Sequence, residues 1–170
     1  NNYKEAIADW TEAIKINPQP ATSFLGLAQA QLATKQYSEA IKGFTEADQL
    51  DSSLVDDTFR QDHSAAVCGQ AEVLMGKEQY KEAKDLIEGF METRQPSTPE
   101  AKKLLAKCYY QISEQLIKKK PGAQGDKGAA GPQGPAGPQA VETPEKEKIE
   151  EAIVFVSKAI EIDSETTLYR

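Results

Sequence analysis

The chain is poor in the side chains that most often carry chemistry. His63 is its single imidazole, and Cys68 and Cys108 are its only thiols, forty positions apart in 170 residues. A four-ligand zinc site lacks enough soft ligands, so no metal is expected. Cys-His nucleophilic catalysis would have to pair His63 with one thiol, yet all three residues lie in stretches that read as ordinary helix. The simpler reading of both cysteines is as small, semi-buried apolar residues. Positive charge is also in deficit. Twenty Lys plus Arg against 27 Asp plus Glu give a net charge of -7 and a pI near 4.9, which argues against nucleic acid as a partner. The basic end Lys118-Lys119-Lys120 lacks the interleaved aromatics of a single-strand binder. No run of about 18 apolar residues exists, so no membrane span is expected. No glycine-rich phosphate loop follows a strand pattern, and carboxylates such as Glu72 and Glu78 are what an acidic helical surface places together by chance. The expectation is therefore no enzyme activity and no cofactor. What is present, 39% hydrophobic and 28% charged residues, is enough for one core on the usual prior of about 150 residues per domain.

The positive signal is a period. Tyr3-Lys4-Glu5-Ala6-Ile7 returns as Tyr37-Ser38-Glu39-Ala40-Ile41, as Tyr80-Lys81-Glu82-Ala83-Lys84 and as Ile149-Glu150-Glu151-Ala152-Ile153. Four residues after each Ala come Trp10, Phe44, Ile87 and Val156, and seven after it come Ala13, Ala47, Phe90 and Ala159. These offsets fall on one helical stripe, and a small residue within the stripe lets a neighbouring helix approach closely. Ala28 and Ala71 lie twelve residues before Ala40 and Ala83, on what reads as a preceding helix facing the first. Each unit is thus a helix pair. Ala6 and Ala40 are 34 residues apart, the period of one known repeat class.

Phe24-Leu25-Gly26-Leu27-Ala28, followed by Tyr37 through Ala47, resembles the tetratricopeptide repeat, and the resemblance extends over nearly all of the chain outside one insert. Pro18 stands where that family ends its helix, whereas Ser52, Gln95 and Ser164 depart from it. Ile87 and Phe90 stand where an aromatic residue and Ala are expected, which predicts a rearranged third unit. The resemblance implies an all-α fold: a right-handed superhelical solenoid of antiparallel helix pairs, with 1–170 forming a single domain cut from a longer array. On this reading Asn1 begins in a second helix, and Glu165 to Arg170 open another first helix.

Two departures from the period locate insertions. Ala40 to Ala83 spans 43 residues, and the nine extra are placed around Ser52 to His63, lengthening the third unit's first helix at its front. Ala106 marks the fourth unit's first helix, yet it lies 46 residues before Ala152. Residues 121–144 supply most of that excess. Within them Gly recurs at 122, 125, 128, 131, 134 and 137, which resembles collagen. Only hydrogen fits at the axis of a triple helix, so Gly must recur at every third place. Six triplets, with Pro absent from the first three, are short for a free-standing triple helix. A disordered or extended loop is favoured over a trimerising stalk, and a monomer over a trimer.

The family resemblance further implies that first helices line a concave groove for a peptide or partner helix. Carried over, the groove positions are Leu25, Gln29 and Leu32, then Cys68, Glu72 and Met75, then Lys103, Lys107 and Tyr110. One end is apolar and the other cationic. From Glu100 to Lys120 there are six Lys against two Glu, so an acidic protein or peptide ligand is the expected partner. The Lys, Asn and Arg clamp by which some family members hold acidic chaperone tails is not matched at Leu25, Gly26, Gln29, Cys68 and Gly69. Trimerisation through the Gly-X-Y run, or recruitment for a larger enzyme, stay open as alternatives. Two distant cysteines favour a reducing cytoplasm without forbidding export.

Overall fold

A computed structural model describes residues 2–92, 98–118 and 144–167, with side chains in the last stretch described for 150–162 and 164. Among these residues there are seven α-helices and one 3₁₀ turn, and no strand. They are α1 (Tyr3–Ile16), α2 (Ala21–Ala33), α3 (Tyr37–Leu50), the 3₁₀ turn (Ser52–Leu54), α4 (Asp57–Gly76), α5 (Tyr80–Met91), α6 (Pro99–Lys118) and α7 (Pro144–Thr167). The described residues are all-α, in keeping with the helical reading of the period. Each helix packs on its neighbours in sequence, and the first helices also meet one another, α2 on α4 and α4 on α6.

Small side chains sit where helices cross. Ala28, Ala40, Ala47, Ala71 and Ala83 are all 0% exposed, and Ala152 and Ala159 are also buried. Ala6 and Ala13, on α1, are half-buried. Bulky residues close the gaps around these contacts, Phe44 and Phe59 in one cluster and Ile87, Leu105 and Tyr109 in another, with Ile41 packed against both.

Two reversals share one geometry. After α2, the Gln36 amide donates to the Leu32-preceding carbonyl of Gln31 at 2.9 Å and the Lys35 amide to Leu32 at 2.9 Å. After α4, Gln79 donates to Leu74 and Glu78 to Met75, each at 3.0 Å. This paired closure satisfies the last carbonyls of a helix and needs one left-handed residue, usually glycine. Here Lys35 (φ 62°) and Glu78 (φ 60°) fill that place.

The nine extra residues enter the core. Asp51 anchors the 3₁₀ turn by accepting from the Ser53 amide at 3.0 Å and hydroxyl at 2.6 Å. Asp56 then caps α4, accepting from the Phe59 amide at 2.7 Å. The lengthened front of α4 buries Phe59 and His63. His63 stacks on Phe44 at 5.4 Å and meets the edge of Phe90 at 5.1 Å. The large Phe90, in place of the repeat's Ala, therefore packs against a ring that the extension supplies.

A polar link ties α5, α6 and α7 together. The buried Tyr109 hydroxyl donates to Glu88 Oε1, Lys84 donates to Glu88 Oε2 at 2.8 Å, and Lys84 also pairs with Asp85 at 2.7 Å. Phe155 stacks on Tyr109 at 5.6 Å, and Lys158 Nζ lies 5.5 Å from the same ring centre. Burial and the bond to Glu88 push the Tyr109 hydroxyl up to about 12. Burial alone would raise the Glu88 carboxyl, but the bonds from Lys84 and Tyr109 outweigh it and hold it below the ordinary range.

Helix α7 runs through Thr167, so Glu165 to Thr167 extend the fourth unit's second helix instead of opening a further first helix. Helix α6 ends at Lys118 and α7 begins at Pro144. The Gly-X-Y run from Gly122 to Gln139 and the departure at Gln95 lie outside the described residues.

Candidate functional site

The nine positions expected to line a groove separate into four groups. Leu25 and Leu32 pack against the Phe44–Phe59 cluster, and Cys68 packs against the neighbouring one, so these three serve the core as much as a surface. Burial raises the Cys68 thiol, and it pushes Cys108 up to about 11, which leaves both poor nucleophiles at neutral pH. Gln29 bridges α2 and α4, its Nε2 donating to Asp62 Oδ2 at 3.0 Å. Lys103 and Tyr110 lie on the exposed side of α6, where the Tyr110 hydroxyl donates to Glu114 at 3.4 Å.

Glu72, Met75 and Lys107 come together. They line a cavity of about 470 Å³ between α4, α5 and α6. Its remaining walls are Gly76 of α4, Tyr80 of α5, and Leu104 and Gln111 of α6. Lys107 of the fourth unit thus shares a cavity with a carboxylate of the third, where the sequence suggests an apolar end and a separate cationic one. Gln111 escaped the sequence reading although it sits one turn beyond Lys107 on the same face. Tyr80 escaped it because its place in the period reads as framework.

Two glycines mark close ring contacts elsewhere in the repeat. A Cβ added at Gly26 would lie 2.5 Å from the Trp10 ring, and one at Gly69 would lie 2.5 Å from the Tyr37 ring. Both glycines precede the small residue of their helix, Ala28 or Ala71, by two positions, and each admits an aromatic ring from the preceding second helix. The matching place in α6, two before Ala106, holds Leu104. Tyr80 stands in the next unit where Tyr37 stands in its own. Tyr80 and Leu104 both line the cavity.

The family model described as tetratricopeptide repeat matches residues 1–54, which run through α1, α2, α3 and the 3₁₀ turn. No curated protein matches the chain. The match supports a tetratricopeptide-repeat protein, and α4 to α7 continue the same order of pairs. Repeats of this kind generally mediate protein–protein interactions and are typically non-catalytic. Among the described residues no helix is long and apolar enough to cross a membrane.

Proposed function

We propose that this chain is a non-catalytic interaction scaffold, a single domain of helix pairs stacked into a right-handed superhelix that receives a peptide or partner helix along its first helices. The observation that carries this reading is the cavity in which Glu72, Met75 and Lys107, from two successive first helices, share one space with Tyr80. Contacts of α2 with α4 and of α4 with α6 support a continuous wall of first helices. Lys103 and Lys107, four residues apart on α6, share a face suited to carboxylates on the partner. The partner on this reading is a protein bearing acidic groups, taken up by the monomer.

The test is a pull-down from the source proteome with the chain and with a Lys103→Glu/Lys107→Glu variant. At least one protein should be retained by the parent and lost by the variant, and a purified partner should bind the variant about tenfold more weakly, the loss of roughly one desolvated ion pair. Equal recovery by both proteins would remove the cationic face from the reading.

A further inference from the structure

Glu72 and Lys107 stand on the walls of one cavity, and none of the ion pairs among the described residues joins them. Several other acids on these helices are engaged: Asp62 accepts from Gln29, Glu88 from Lys84 and Tyr109, and Glu114 from Lys118 and Tyr110. Met75, Leu104 and the Tyr80 ring line the same cavity and give it apolar surface beside the two charges. A purely acidic segment would satisfy Lys107 but press a like charge on Glu72. A purely basic one would do the reverse. Like charges brought together in a partly desolvated site are what interfaces use to reject wrong partners.

Building on the groove reading above, we infer that the cavity takes a bipolar stretch of the partner protein, with an acidic residue at Lys107, a basic residue at Glu72 and a long apolar side chain between them. Met75 and Leu104 hold the apolar group. The Tyr80 ring gives the basic residue a second attraction besides the carboxylate, since an aromatic face draws a cation. Lys103, one turn before Lys107, deepens the positive potential on the α6 side and fixes which wall receives the acid. The Gln111 amide, able both to donate and to accept, suits the backbone of the bound segment.

The experiment uses the chain's two methionines as reporters. Both pack against the same core cluster, but Met75 also lines the cavity, whereas Met91, at the end of α5, does not. The chain carrying ¹³C-methyl methionine is titrated with four dodecapeptides of common Gly-Ser background whose central residues are Asp-Leu-Lys, Asp-Leu-Asp, Lys-Leu-Lys or Asp-Gly-Lys. The Asp-Leu-Lys probe should move the Met75 methyl signal, leave Met91 in place, and bind about tenfold more tightly than each of the others. Glu72→Gln should bring Asp-Leu-Asp level with it, and Lys107→Gln should bring Lys-Leu-Lys level. Both positions are exposed, and unchanged Trp10 fluorescence and far-UV circular dichroism will verify the variants' fold. Binding of Asp-Leu-Asp equal to or tighter than Asp-Leu-Lys, Met91 shifting together with Met75, or no probe moving Met75 would each overturn the assignment. Should no probe bind, the pull-down separates two failures. A partner lost by the Lys103→Glu/Lys107→Glu variant leaves the groove standing without bipolar preference, and equal recovery removes both.

Discussion

At the scale of single residues, space decides what a side chain can do. Gly69 and Gly89 both sit inside helices, where replacing glycine by alanine ordinarily gains about 1 kcal/mol of helix propensity. Their surroundings differ. Nothing lies within 4 Å of a Cβ at Gly89, so Gly89→Ala should stabilise the protein by about 0.5–1 kcal/mol. At Gly69 the added carbon meets the Tyr37 ring at 2.5 Å, and overpacking of about 1–3 kcal/mol exceeds the propensity gain. A net loss of about 1 kcal/mol is expected for Gly69→Ala, measured by urea denaturation of both variants beside the parent. Gains of equal size at the two sites would mean that the ring does not nest on the glycine.

At the scale of elements, the reversals after α2 and α4 are built with the wrong residue for their conformation. Lys35 and Glu78 hold left-handed φ values, a conformation costing a side-chain-bearing residue roughly 1 kcal/mol or more, part of which glycine gives back through its freer unfolded chain. Lys35→Gly and Glu78→Gly should each stabilise by about 0.5 kcal/mol, while Lys35→Ala stays near neutral, read as shifts of the urea midpoint. Destabilisation by either glycine would place the turn energy elsewhere. These turns also mark the limit of what the sequence discloses. The helix pairs, their order, the lengthened front of α4 and the burial of Ala28, Ala40, Ala71 and Ala83 were all legible, because packing at a crossing leaves a periodic trace. The helical register also grouped Glu72, Met75 and Lys107 among candidate first-helix positions, and the structure places all three on one cavity. The niche at Gly69, the Tyr109–Glu88 link and the part of Tyr80 and Leu104 in the cavity were not legible. Each depends on a contact between two helices whose partners follow no common spacing. Glycine or asparagine would have announced the turns, and lysine and glutamate do not.

At the scale of the whole molecule, the helices described pack mainly on their neighbours in sequence, and two buried clusters stand in place of one. Such arrays unfold in parts when the couplings between units are weak. Helix α1 has no fully buried residue and packs mainly on α2. It also carries the only tryptophan, Trp10, which is 37% exposed above Gly26. In urea the Trp10 fluorescence change should precede the loss of far-UV circular dichroism by about 0.5 M, the separation that a unit weaker by roughly 1 kcal/mol produces. Coincident midpoints would show that the first helix melts together with the rest. Helix α4 has 20 residues against 13 in α2, and its added length lies ahead of the place where Ala71 meets α5. One pillar therefore stands taller than its neighbour while the joints beneath it keep their spacing, so added turns can raise one edge of the molecule without rebuilding the frame.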